Sequence, residues 1–153
     1  HNIAKFEEFE LNEKKVKLCV HRKGATRSFG PGRKELPKIY QGVGQPIFIP
    51  GSMGTFSYVL AGTNESAHIS FSSTAHGAGR MFSRTYAKEH FNIGEIRKAL
   101  ETHGIYLEAG SAKGAIEEAP EAYKDVNEVA RVSHELGIGR LVVRLKPIAV
   151  VKG

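Results

Sequence analysis

The sequence contains no tryptophan and, in 153 residues, a single cysteine, Cys19. One cysteine excludes an internal disulfide and fits a reducing compartment. No run approaches the roughly 20 apolar residues that a membrane-spanning helix needs. Residues 1–20 carry too much alternating charge for a signal peptide. There is no internal repeat and no low-complexity tract. Acidic residues are the minority: 22 lysines and arginines stand against 16 aspartates and glutamates, a net charge of +6 with a pI near 9.5. That bias favours acidic partners, nucleic acid first among them. The hydrophobic content of 41% and charged content of 25% are ordinary for a soluble globular protein. The length suffices for one unit with its own core. The first residue is His1 rather than methionine, which reads as a segment of a longer chain.

What is present is a set of short strand and helix signals. Residues 3–11 read as a strand, Asn12-Glu13-Lys14 as a turn, and the alternation of Val16, Leu18 and Val20 with charge as a half-buried partner strand. Residues 28–38 are rich in glycine, proline and charge and read as a loop. Strands are expected at 45–50, 56–61, 69–72, 105–108, 141–145 and 148–151. About three helices are expected. One runs from about 79 to 88, one from an Asn92 cap through Glu101 to a Gly104 stop, and one from Pro120 to Gly137. The fold class is α+β: one mixed unit, residues 1–153, with largely antiparallel sheets.

The run Ser72-Ser73-Thr74-Ala75-His76-Gly77-Ala78-Gly79-Arg80, followed by Arg84, carries the most chemistry. Glycines let backbone N–H groups approach an anion. A histidine supplies a nitrogen that serves as nucleophile, acid, base or metal ligand. Arg80 and Arg84 fall at a spacing that fits one helix face. The same pattern also fits a histidine in an ordinary turn.

Three further segments carry weaker signals. His21-Arg22-Lys23-Gly24 places cations beside a flexible glycine, suited to gripping phosphates, or simply to ending a strand in solvent. Pro50-Gly51-Ser52-Met53-Gly54-Thr55 is a glycine turn with hydroxyls that could offer N–H groups to an anion. It lacks the Gly-Lys-Ser/Thr end of a P-loop and the strand–GxGxxG–helix context of a dinucleotide fold. Glu7, Glu8 and Glu10 read as a solvated strand face. His68, His90, His103 and His134 read as surface residues. No cluster in the chain has metal-ligand spacing of its own.

Four segments, His1-Asn2-Ile3-Ala4, His21-Arg22-Lys23-Gly24-Ala25-Thr26-Arg27, Pro50-Gly51-Ser52-Met53-Gly54 and Ser73-Thr74-Ala75-His76-Gly77-Ala78-Gly79-Arg80, occur in this order. At these spacings the sequence resembles the C-terminal part of the RtcB family of RNA-splicing ligases, from its first residue to its last. The resemblance implies the C-terminal portion of an RtcB-like fold. It implies a GTP-dependent joining of RNA 3′-phosphate or 2′,3′-cyclic phosphate ends to 5′-hydroxyl ends, as in tRNA splicing and RNA repair, with manganese as metal, two ions in the complete site. His76 would take GMP from GTP. His1 would be a manganese ligand and Asn2 would lie near the nucleotide phosphates. Pro50, Gly51, Ser52, Met53, Ser57, Gly77, Ala78 and Gly79 would surround the nucleotide, with Tyr123 against the base and Lys152 helping to recognise guanine. Lys23, Arg27, Arg80 and Arg84 would contact phosphate or RNA. The remaining metal ligands of the family lie upstream, and Cys19 does not match the family's metal cysteine. The resemblance also implies a cytoplasmic protein, inactive as this segment alone, with RNA as partner and an archease-type activating protein as a further one.

Two other functions fit the residues. One is a non-catalytic RNA-binding module using the basic loop of residues 22–38. The other is a phosphotransferase or hydrolase with a phosphohistidine at His76 and no RNA partner.

Overall fold

The computed structural model describes residues 2–152. A long hairpin comes first. Strand β1 (Asn2–Leu11) pairs antiparallel with β2 (Lys14–Lys23), in register from Asn2 opposite Lys23 to Leu11 opposite Lys14. The turn is two residues long, Asn12 and Glu13, both left-handed with φ of 49° and 63°. A two-residue turn with positive φ matches the right-handed twist of the strands it joins. One face of the hairpin carries Glu7, Phe9 and Leu11 from β1 and Val16, Leu18, Val20 and Arg22 from β2. Cys19 is on the opposite, exposed face.

The strand β3 (Ala25–Arg27) pairs antiparallel with β6 (Ser73–Ala75). The central sheet has the order β4-β5-β8, all antiparallel: β4 (Pro46–Ile49), β5 (Ser57–Gly62) and β8 (Gly139–Leu145), with a register shift at Val59/Leu60. The last pair, β7 (Tyr106–Ala109) with β9 (Ala149–Lys152), is parallel. Pro147 therefore does more than interrupt one terminal strand: it separates two strands that belong to different sheets.

Two apolar cores result. In the first, Ile47, Ile49, Tyr58 and Leu60 of the central sheet pack against Val126 and Ala130 of helix α5 (Val126–Glu135), with Ala78 of the His76 turn among them. In the second, Ile96 and Leu100 of α3 (Ile93–Thr102) pack with Ile105, Leu107 and Ala119, and Met53 of the Gly-Ser-Met-Gly turn closes the cluster. Each of the two glycine turns thus plants one side chain in a different core.

The α+β class with mostly antiparallel sheets is as expected, but the described residues contain five α-helices rather than three. The expected strand at 69–72 is helix α1 (Glu65–Ser70), closed by Phe71 in the left-handed region at φ 49°. Ile69 is exposed, so no alternating apolar face was there to make a strand. Helix α4 (Ala112–Glu117) is an addition, capped by the Ser111 hydroxyl, which accepts from Gly114 N–H at 3.1 Å. The helix expected from 79 begins only at Arg84, as α2 (Arg84–His90), because Gly79 is left-handed at φ 77° and Ser83 is the cap. Pro120 opens a single 3₁₀ turn. Tyr123 is extended, and α5 starts after a fresh cap at Asp125. Asn92 caps α3 as expected, accepting from Gly94 and Glu95 N–H.

Candidate nucleotide site at the His76 turn

Strand β6 ends at Ala75, opposite Ala25 of β3, and delivers His76 exposed at the strand end. The turn that follows is held on two sides. Ala78 N–H donates to Pro50 C=O at 2.9 Å, which locks it to the Pro50 turn. Gly79 C=O accepts from Lys124 N–H at 2.9 Å, Met81 N–H donates to Ala122 C=O at 2.8 Å, and Arg80 forms a β-bridge with Tyr123. His76, Arg27, Thr26, Ala25, Phe48, Ile3 and Arg22 line a cavity of about 340 Å³.

The Pro50 turn is closed by its own hydroxyls. Ser52 N–H donates to Thr55 Oγ1 at 2.7 Å, and Gly51 N–H faces Ser57 Oγ at 3.4 Å. A Cβ on Gly51 would collide with Thr55 Oγ1 and the Phe56 carbonyl, so only glycine fits this approach. Ser52 Oγ is buried with no hydrogen-bond partner among the described residues. Buried hydroxyls are rarely left so, and this one sits on the turn expected to meet a nucleotide.

Arg80 and Tyr123 form the third part. The Arg80 guanidinium lies 4.9 Å from the Tyr123 ring centroid, within cation–π range. Its Nη1 donates to the Tyr123 hydroxyl at 3.1 Å and its Nε to Phe82 C=O at 3.0 Å, while Nη2 is buried and unpartnered among the described residues. The Tyr123 hydroxyl in turn donates to Glu118 Oε2. Burial first, then the hydrogen bond and charge of Glu118, push the Tyr123 phenol above its ordinary value, with Arg80 opposing.

Glu118 is the residue that the sequence did not single out. It lies 3.5 Å from Arg80, 3.7 Å from Lys152 and 4.0 Å from Arg84. Its neighbour Glu117 takes Lys88 at 2.6 Å and Arg84 at 3.3 Å. The Lys88 ammonium, and then Arg84 and Arg80, hold the Glu117 carboxyl below the usual carboxylate range. The available signal was two consecutive glutamates directly before Ala119-Pro120 in a basic chain. Their spacing to Arg80 is set by tertiary structure alone.

The expected residues thus fall into two groups. Pro50, Gly51, Ser52, Met53 and Ser57 belong to one turn, tied through the Ala78–Pro50 bond to Gly77, Ala78 and Gly79 and on to Arg80 and Tyr123, with Lys152 reaching the same place through Glu118. Asn2, Lys23 and Arg27 lie on the other flank of His76, at the open end of the hairpin and on β3. Asn2 Oδ1 accepts from His21 Nε2 at 2.7 Å, and the Arg27 guanidinium covers Phe29 at 5.1 Å. Arg80 and Arg84 do not share a helix face, because Arg80 precedes α2 and is held in extended backbone by its Tyr123 bridge.

Two charge readings are corrected. Arg22 neither grips a phosphate nor ends a strand in solvent. It is 2% exposed and forms a two-pronged ion pair with Glu7 at 2.7 and 2.8 Å. Glu7 is correspondingly 5% exposed and leaves the solvated face to Glu8 and Glu10. The four histidines at 68, 90, 103 and 134 are exposed, as expected.

His1, the expected metal ligand, lies outside the described residues. Among the described residues no group of three or more His, Cys, Asp or Glu side chains could hold a metal ion. This chain's described donors alone therefore do not fit a manganese site. Two buried polar atoms, Ser52 Oγ and Arg80 Nη2, stand without a partner among the described residues beside the glycine turns, where a Cβ on Gly77 would already touch Pro50 at 3.4 Å. Among the described residues no helix is long and apolar enough to cross a membrane.

Residues 1–153 match the family model for the tRNA-splicing ligase RtcB. The tRNA-splicing ligase RtcB of Nanoarchaeum equitans is 54% identical over 153 residues, all of this chain and 32% of that protein. The one from Archaeoglobus fulgidus is also 54% identical, again over 32% of its length. The one from Pyrococcus abyssi is 55% identical and is covered for 17% of its length. The chain thus spans about a third or less of these relatives. A match to the family model over the whole chain establishes that the chain belongs to the RtcB family.

Proposed function

We propose that this chain is the nucleophile-bearing and guanine-nucleotide-binding part of an RNA ligase that joins 3′-phosphate or 2′,3′-cyclic phosphate ends to 5′-hydroxyl ends. One observation carries the reading. The His76 turn is hydrogen-bonded to the Pro50 turn through Ala78, and the flanking Ser52 Oγ and Arg80 Nη2 are buried polar atoms with no protein partner among the described residues. Phosphoryl transfer asks mainly for positioning and charge neutralisation, and this arrangement supplies both beside a histidine.

In this reading an unprotonated His76 nitrogen attacks the α-phosphorus of GTP. The N–P bond forms as the bond to the leaving pyrophosphate breaks. An oxygen of the RNA 3′-phosphate then attacks the same phosphorus and the N–P bond breaks, leaving the RNA end activated. The 5′-hydroxyl attacks the 3′-phosphate, loses its proton, and GMP departs. Arg80 neutralises phosphate charge, the Pro50 turn and Ser57 surround the nucleotide, and Tyr123 and Lys152 meet the base. Arg84 supports the site from α2, with Glu117 and Glu118 orienting the cations. Lys23 and Arg27, on the other flank of His76, hold the RNA. Manganese remains part of the proposal, with His1 as one ligand and most ligands from the upstream part of the complete protein, where it would polarise phosphate oxygens. A cytoplasmic setting and an archease-type activator belong to the same proposal.

The basic-loop module has less to recommend it. Arg22 is paired with Glu7, Arg33 with Glu35 and Lys34 with Glu8, so three cations of that segment are already engaged. The decisive experiment is covalent labelling of the full-length protein with radiolabelled GTP and manganese. Wild type acquires an acid-labile, alkali-stable GMP adduct and His76→Ala does not. A His76→Ala protein that still labels, or a wild type labelled equally by other phosphate donors, would overturn the reading.

A further inference from the structure

We infer that the buried Glu7–Arg22 pair is a positioning device for His76, acting through strained backbone; the inference rests on the ligase reading for its activity test. The observations are geometric. Arg22 reaches across from the hairpin to the segment that leads into the nucleophile. Its Nη2 donates to the carbonyls of Phe71 at 2.9 Å and Ser72 at 3.2 Å, and its Nε donates to Ser73 Oγ at 2.8 Å. Phe71 and Ser72 are both left-handed, with φ of 49° and 51°. Two consecutive non-glycine residues in that region persist only where their surroundings over-determine them. Ser73 begins β6, and β6 ends one residue before His76.

The chain of cause runs in one direction. Glu7, buried on the inward face of β1, fixes both nitrogens at the end of the Arg22 fork. The planar fork then has a fixed aim, and lysine could not reproduce it. The aimed fork binds the two carbonyls that the left-handed pair turns inward. The Arg22 bond to Ser73 sets where β6 starts. Packing agrees: Phe71 meets Phe9 edge-on at 5.5 Å, beside Glu7 on the same strand face. Arg22 also forms part of the wall of the cavity that His76 lines. It touches no reacting atom in this account; it sets the backbone that leads to His76.

The test uses the full-length protein with Arg22→Lys and with the neutral pair Glu7→Gln/Arg22→Met, which removes the buried charges together so that neither is left unpaired. The single-turnover rate of GMP transfer to His76 is expected to fall by about tenfold or more, since small misplacements of a nucleophile carry such penalties. GTP half-saturation should move by less than about threefold, and a denaturation curve for each variant restricts the comparison to folded protein. Adding Ser72→Gly, which accepts the left-handed backbone without strain, should restore much of the lost rate. A folded variant with a wild-type rate overturns the inference. So does a variant in which half-saturation rises while the maximal rate holds, because Arg22 would then be a ligand contact. Amide exchange over residues 73–76 judges the clamp separately: faster exchange in the variants supports it, and unchanged exchange overturns it. Absence of an adduct on wild type would instead refute the ligase reading.

Discussion

Glu118 shows how one carboxylate can organise a site of opposite charge. It accepts from Tyr123 and lies within 4.0 Å of Arg80, Arg84 and Lys152. Burial and Glu118 together raise the Tyr123 phenol above about 10, the ordinary tyrosine value. A group whose folded-state value is raised stabilises the fold fully below its unfolded value and loses that contribution as pH rises through the folded one. In the full-length protein, Tyr123 is therefore expected to titrate above the ordinary tyrosine range. Glu118→Gln should bring it down part of the way, since burial remains. Ultraviolet difference titration checks this, with Tyr123→Phe to assign the signal; a Glu118→Gln curve that overlays wild type would refute it. At this scale the sequence showed its chemistry but not its environment. His76 and Arg80 lie in the motif run itself, whereas Tyr123 and Lys152 were named only through the family resemblance. Glu7 and Arg22 were misread because alternation in a charged strand does not say which parity faces inward. The clue was that Glu7 shares its parity with Phe9, and Arg22 with Val16, Leu18 and Val20. The pairing register that merges those two faces is a tertiary fact.

The elements whose ends carry a local chemical signal were the legible ones. Asn92 is the clearest. Its side chain accepts from Gly94 N–H at 2.7 Å and Glu95 N–H at 3.4 Å, satisfying donors that open a helix. Asn92→Ala is expected to cost about 1 kcal/mol of stability in the full-length protein. Urea denaturation measures it, and Asn92→Asp should retain most of the loss-free value. The hairpin was readable in its two alternating strands, although Lys14, expected in the turn, already pairs with Leu11 and leaves a two-residue turn. The misplaced elements share a cause. Residues 79–83 have helical composition, but Gly79 is left-handed and the backbone of 80–82 is drawn to 122–123 by long-range bonds. Residues 69–72 look apolar enough for a strand until Phe71 and Ser72 take left-handed backbone that the Arg22 bonds hold. Distant partners overrode local propensity in both places.

The two cores meet at the candidate site. The first holds Ala78 of the His76 turn, and the second holds Met53 of the Pro50 turn. The Ala78–Pro50 hydrogen bond spans the gap between them. Met53 is 4% exposed, so Met53→Ala should cost about 2–5 kcal/mol in the full-length protein, the range for a truncated core side chain. It should also release the Pro50 turn. The expected result is a higher GTP half-saturation with the maximal rate of His76 labelling retained, measured beside a denaturation curve. A loss of stability with unchanged half-saturation would show that the turn does not depend on its anchor.

The sequence by itself determined the α+β class, the hairpin, the α3 cap, the family and the identity of the candidate nucleophile. Those features rest on local periodicity, capping chemistry and four motif segments read together. Only the tertiary structure decided that Arg22 and Glu7 are buried together, that Arg80 leaves the helix to lie on Tyr123, and that Glu118 sits among the cations. These pairings join residues 15 to more than 30 positions apart. No local rule relates side chains at such separations, because their meeting depends on how two apolar cores close around the turns between them.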